Sequence, residues 1–450
     1  MVTRVVSNNS ELITAFAASA AGDVIECTAG ANLGSWSPST TYFSGSPLVI
    51  RSQDPNNRAY FTYLRITNGA GNIRFEDILF DYTFSGEAET YAPFSMSSAV
   101  DCHYLRCEFN GDNDGSPYFY QSGQGVQIYY GSGHTFEECK ITTFTTLMLV
   151  FESHDFTLLN SELTDNSGDA LDLVSCDNAL VRGNHFHGNA YPAYGWHNIA
   201  TAAHVDCIQL QRNLGGCNGV QILENVFDYE TGTWGQCIWA GDDGADVSPG
   251  SQFRHTNVTI RDNIFYNGHT YGYGLSSVDG LTIDQNTMLE GRTPNANVSA
   301  YHDARGNFIY QGAPASPCPK MTLGGGCTSV TFTNNITAEH SPNFPFQPGW
   351  TVSNNYEVPL AQHGTTVTVL ADGASHGYHD YQLESGNSAH TGLAGSRMMK
   401  RVGGWGGQEI TPPSSYLGGG PGGTPPASNS AIMLPGGQPL IVGGQIISVS

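Results

Sequence analysis

Two aspartates three residues apart, Asp169 and Asp172, stand in NSGDALDLVSCDNALVRGNHFHGN (166–189), and a third, Asp206, lies in HVDCIQL two residues after His204. Paired carboxyl groups suit acid–base work on a glycosidic bond: one protonates the leaving oxygen while the other activates water or attacks the sugar. Crowding like charges raises one carboxyl pKa, as an acid catalyst requires. The same residues also have plainer uses. Aspartates where a strand begins cap backbone amides, and clustered carboxylates suit a hard cation such as calcium. Asp242 and Asp243, in GDD at 241–243, are reserve candidates. What decides between these uses is whether the fold brings Asp169 and Asp206 to one place.

The positioning elements come from a repeat. An Asn followed within three residues by an apolar residue recurs in NSEL at Asn160, GNHF at Asn184, ENVF at Asn225, DNIF at Asn263, QNTM at Asn286, GNFI at Asn307, NNIT at Asn335 and NNYE at Asn355. The steps from 160 to 184, 263 to 286, 286 to 307 and 335 to 355 are 24, 23, 21 and 20 residues. Such a period, built from short β-branched runs between Gly, Asn and Asp, predicts one coil of a parallel β-solenoid per repeat, with stacked asparagines forming a side-chain ladder.

A second register precedes each Asn: GVQI, LMLV, ALDL, CIQL, CIWA and GLSS. Alternation along a strand sends Val126, Leu147, Leu171, Ile208, Ile238 and Leu275 inward. Gln127, Met148, Asp172, Gln209, Trp239 and Ser276 then form an outward stripe, with rungs about 4.8 Å apart. Aligning Asp172 with Gln209 aligns Asp169 with Asp206, so the acids occupy one corner on successive rungs. Two insertions border the stripe, 187–205 and 240–257. The first brings Tyr191, Tyr194, Trp196, His187, His197 and His204, and the second Asp242, Asp243 and Asp246. Sugar rings stack their C–H faces on aromatic side chains, so Trp239, Trp196 and Tyr194, with Gln209 and Arg212, are the expected substrate-binding residues. The plainer reading has these aromatics seal the loops against the barrel.

Composition narrows the partners. Forty acidic against seventeen basic residues give a net charge of -23, which repels nucleic acid, anionic lipid and polyanionic glycans and fits a neutral partner or cation-bridged binding better. No apolar run approaches the roughly 20 residues that cross a bilayer. The N-terminal MVTRVVSNNSELITAF lacks a basic region followed by an apolar stretch, so the expectation is no signal peptide and release by lysis, virion association or another extracellular route. Ten cysteines without such a peptide point to reduced thiols, Cys318 and Cys327 being the exception to watch.

With this repeat, the chain resembles the right-handed parallel β-helix proteins of the pectate-lyase superfamily. VVSNNSELITAFAASAAGDVIECTAG (5–30) looks like their cap and first coil, a short helix followed by Gly-Asp and a strand, and HDYQLESGNSAHTGLAG (379–395) is similar to a closing coil. HVDCIQ resembles the HxDxxQ sequence at sites of other β-helix proteins. The expected organisation is therefore all-β: a β-helix domain over 1–395 with a capping helix, a Gly/Pro-rich linker over 396–430 and an apolar, β-prone segment over 431–450. The resemblance implies a polysaccharide-degrading enzyme, a glycosidase or lyase, with a non-catalytic glycan-binding spike, adhesin or virion tail component, compatible with a homotrimer, as the alternative. No cofactor is required on this reading, calcium being the optional one. Elimination needs a base and neutralisation of a uronate, yet Lys140, Lys320 and Lys400 all lie outside the insertions, so the paired acids slightly favour hydrolysis. The polygalacturonase-like pattern is met only in fragments, because GDD follows its strand and no Gly-His-Gly or Arg-x-Lys comes after. The acids expected at the centre are Asp206 and Asp169, tuned by His204 and Asp172.

Overall fold

The structure, a computed structural model, describes residues 1–85, 91–111, 123–166, 168–188, 206–228, 236–241, 247–266, 271–289, 301–302, 308–310, 320–324, 326–338, 347–358, 367–369, 381–383, 395–396, 400–401, 404–405, 430–431, 433–434, 438–439, 441–442, 445–446 and 448–449. Within them the chain winds as a parallel β-helix. One sheet of 13 strands forms one face, and a sheet of 20 strands wraps the other two. A typical coil runs through Leu171–Val174 on the first face, Leu180–Arg182 on the second and His185–His187 on the third. The next coil begins at Asp206–Gln211, paired in register with the strand one rung back.

The helix Asn9–Ala17 caps the N-terminal end, as expected. Asn8 accepts the Glu11 amide at its start, and Phe16 packs edge-on against Trp36 at 4.9 Å. Inside, like residues stack at the rung spacing. Phe75, Tyr104 and Phe136 stack at 5.0 and 4.6 Å, and Phe186, Phe227 and Phe265 at 4.9 Å per step. Cys27, Cys102, Cys107, Cys139, Cys176, Cys207, Cys217, Cys237 and Cys327 are free buried thiols, so Cys327 is not in a disulfide; Cys318 lies outside the described residues.

The asparagine ladder forms, with two corrections to its membership. Asn184, Asn225, Asn263, Asn286, Asn335 and Asn355 are joined Oδ1 to the preceding rung's backbone N–H and Nδ2, at 2.9–3.1 Å. Each follows a residue with positive φ that makes the tight turn: Gly183, Glu224, Asp262, Gln285, Asn334 and Asn354. Asn160 takes that left-handed place (φ 49), which asparagine tolerates, so Ser161 holds the ladder position and accepts the Cys139 amide at 3.0 Å. The ladder passes directly from Asn286 to Asn335, bypassing GNFI; Asn307 is outside the described residues, and Phe308–Tyr310 pairs antiparallel with Tyr301–His302 in a separate hairpin.

The outward stripe also shifts at both ends. Met148 pairs with Val126 and Leu171 and is buried in the core, leaving Leu149 on the stripe beside Asp172. Gly274, not Ser276, pairs with Trp239. Both changes are one- or two-residue register differences within apolar or small-residue runs, where alternation is weak. The parallel rungs continue to Tyr356–Val358. Beyond them, Tyr381–Leu383 pairs antiparallel with Val367–Val369. Gly395 and Ser396 return to the barrel, Gly395 donating to Asn334 O at 2.7 Å and Ser396 Oγ to Asp262 O at 2.7 Å. No described helix is long and apolar enough to cross a membrane.

Candidate functional site

The first face is flanked by the two long connections that the sequence singled out. Residues 188–205 join the third face of one coil to the first face of the next, and 241–254 join the first face to the second. Their points of attachment therefore lie at opposite edges of the first face. Between them the outer column runs Gln127, Leu149, Asp172, Gln209, Trp239, Gly274 in register.

The three acids meet at the corner where first-face strands begin. Asp169 accepts the Asp206 backbone N–H at 2.8 Å, so it caps the next rung. That is the amide-capping use of aspartate, combined here with a second demand. Asp169 and Asp172 are also hydrogen-bonded to each other, and Asp206 supplies like charge from one rung away. Asp206 is fully buried and Asp172 is 8% exposed, while Asp169 is half-buried. Burial pushes the Asp172 carboxyl up to about 7; the Asp169 hydrogen bond works against this and the Asp206 charge adds to it. Burial, then the charges of Asp172 and Asp206, push Asp169 well above the ordinary carboxylate range as well. A carboxyl group that keeps its proton near neutrality in a cluster of acids is a proton donor in waiting.

Other proposed residues separate. Gln209 neighbours Asp172 and Trp239 and accepts from Gln211 Nε2 at 2.7 Å. Trp239 is half-buried on the outer column, and a Cβ added at Gly274 would overlap its ring, so the ring lies over the next rung's backbone. The Arg212 guanidinium donates to Phe253 O at 2.5 Å and Ser276 O at 3.4 Å, tying coils together at the far edge of the face. His204, Asp242, Asp243, Asp246, Tyr191, Tyr194, Trp196 and His197 lie outside the described residues.

Sequence reasoning missed Gln236, Asp228 and Cys237 around this corner, and it placed His187 in an insertion. Gln236 is the register partner of Asp206 on the following rung and is buried; aligning QCIWA with DCIQL gives that position. His187 lies at the end of a third-face strand, not in a loop, with Nε2 3.0 Å from Glu162 Oε1, and its register partner Asp228 is buried. The Cys237 thiol, pushed up first by burial and by Cys207, also feels Asp206 and Asp228, which puts both carboxylates around it. Among the described residues no three His, Cys, Asp or Glu side chains converge to hold a metal ion, and Asp169 already spends an oxygen on a backbone amide.

Residues 95–249 match the family model described as a right-handed β-helix region, which gives the hand of the coil. No curated protein matches the sequence. Among solved structures, the chain is similar to the Dettilon tailspike protein at 13% identity, covering 78% of this chain and 63% of that one with a TM-score of 0.46. It is also similar to the A-module of the Azotobacter vinelandii mannuronan C-5 epimerase AlgE4 (10% identity, 78% and 91% coverage, TM-score 0.48) and to the PL6 family alginate lyase AlyGC (12%, 79% and 52%, 0.40). The chain spans less than two thirds of the tailspike and about half of that lyase. These likenesses concern the fold alone.

Proposed function

From a right-handed parallel β-helix that gathers three aspartates at one corner of one face, we propose a glycan depolymerase that cleaves by hydrolysis, its substrate laid along the first face. The observation that carries this is the Asp169–Asp172–Asp206 cluster, in which burial and like charge hold a proton on Asp172 up to about pH 7. Asp172 belongs to the outer column and donates its proton to the glycosidic oxygen. The bond from that oxygen to the anomeric carbon breaks, water oxygen bonds to the carbon, and the water's proton passes to a second carboxylate. Asp206, one rung on, has that role, since carboxyl groups one to two rungs apart fall in the roughly 5 to 9.5 Å that glycosidases use. Asp169 positions the other two, through the Asp206 amide and the Asp172 carboxyl. Trp239 offers a ring face to the sugar, and Gln209 an amide to its hydroxyls.

A glycan array followed by product analysis tests the reading. New reducing ends that persist in a chelator support metal-free hydrolysis. An unsaturated, ultraviolet-absorbing product reassigns the site to elimination, and loss of activity in chelator reassigns the carboxylates to a cation. Binding without turnover makes the protein an adhesin.

A further inference from the structure

On the first face, N-terminal to the acids, three aromatic rings converge outside the barrel. Tyr129 and Phe151 are register partners with ring centroids 5.3 Å apart, and Tyr130 approaches Phe151 edge-on at 5.7 Å and Tyr129 at 6.3 Å. Tyr130 is 57% exposed. Neither phenolic hydroxyl bonds a described residue, and Glu152 beside them spends its carboxylate on Asn213 Nδ2 at 2.6 Å. The patch therefore combines ring faces with hydroxyls that bond no described residue, beside a carboxylate already held by an amide, which suits a pyranose.

Its place relative to the acids follows from register. Phe151 pairs with Val174, two residues along the strand from Asp172, so one rung and two residues separate the Cα atoms of Phe151 and Asp172, about 8 Å. Trp239 lies on the other side, two rungs beyond Asp172 and about 10 Å away. Aromatic surface thus flanks the acids in both directions along the helix axis.

We infer that Tyr129, Tyr130 and Phe151 form a second sugar-stacking platform, so that the glycan occupies the face on both sides of the acids and is cut internally, not trimmed from an end. The inference rests on the reading of the protein as a glycan-degrading enzyme. The test uses the full chain carrying Asp206→Asn, so that bound glycan is not consumed, on an array of size-graded neutral and uronate-containing oligosaccharides. Tyr130→Ala and the double variant Tyr129→Ala/Phe151→Ala should each weaken binding to the strongest array oligosaccharide by about tenfold or more, as Trp239→Ala does, without changing which oligosaccharide is bound. Tyr130 is exposed, so its variant folds even where the double variant does not. With active protein, viscosity of the corresponding polymer should fall well before small sugars accumulate. If Tyr130→Ala binds like its background, or if the first products are only mono- and disaccharides, the platform is overturned while the depolymerase reading stands. If the background protein binds no glycan, both fall.

Discussion

Two corners of the same coil bury polar side chains equally deeply and in opposite ways. At the turn between the second and third faces, Asn184, Asn225 and Asn263 are fully buried, neutral, and matched donor to acceptor from rung to rung. At the turn between the third and first faces, Asp206 is just as buried, but its neighbours on the cluster are Asp169 and Asp172, on which burial and the Asp206 charge hold protons. The amide corner repeats along the barrel; among the described residues the acid corner is built once, where Thr146 precedes Asp169 and Gln236 follows Asp206 in the column. A repeated, satisfied polar column lowers the free energy of the fold. A single cluster of like charges raises it, and such local conflicts are where function is expected.

The comparison breaks most sharply on activity. Asp206→Asn and Asp172→Asn should each lower turnover by about 10²- to 10⁴-fold, the range of a lost acid or base, while Asn225→Ala leaves the rate per folded molecule unchanged. Full activity in both aspartate variants would make the acid corner a second piece of scaffold. Next in size is the ladder itself. Asn225→Ala strands the Asn184 amides and Val181 O, and should cost about 1 to 3 kcal/mol, as should Asn263→Ala; calorimetric midpoints equal to the parent's for both would sink the ladder's structural role.

Of the two corners, the acid one responds to pH and the amide one does not. Asp172 titrates near 7 in the fold and near 4 when unfolded, so the folded state holds the extra proton between these values. Its contribution is fully favourable below about pH 4 and is lost as pH rises through 7. Asp172→Asn should therefore stabilise the protein on the order of 2 kcal/mol at pH 8 and by nothing at pH 4. Asn225→Ala should destabilise equally at both. Denaturant midpoints at the two pH values separate these outcomes, and a pH-independent effect of Asp172→Asn would remove the electrostatic account.

Much of this was legible in the sequence, for a physical reason. The ladder asparagines and the aligned Asp169 and Asp206 are read from spacing, since a parallel helix places equal offsets side by side. Where the reading slipped, the residue type was ambiguous at its position. Asn160 fits the left-handed turn as well as the ladder, and LMLV carries no alternation to choose between Met148 and Leu149. The Asp169–Asp206 amide bond was invisible for another cause: capping and catalysis ask for the same residue type, and only geometry shows one side chain doing both.

The smallest expected effect separates a stacking Trp239 from a covering one. Trp239 stands two rungs beyond Asp172, and its ring occupies the space that a Gly274 side chain would need. Gly274→Ala removes the entropic cost of glycine in a strand, worth about 0.5 to 1 kcal/mol, and forces the ring to swing aside at a similar cost. Stability should then change by less than about 1 kcal/mol. If the ring is a platform for a sugar, the swing misaligns it and affinity for the glycan should fall about threefold, near 0.7 kcal/mol. If the ring only covers the sheet, Gly274→Ala shifts the melting midpoint and leaves affinity alone. The amide corner offers no such separation, because there every side chain's contacts are its function.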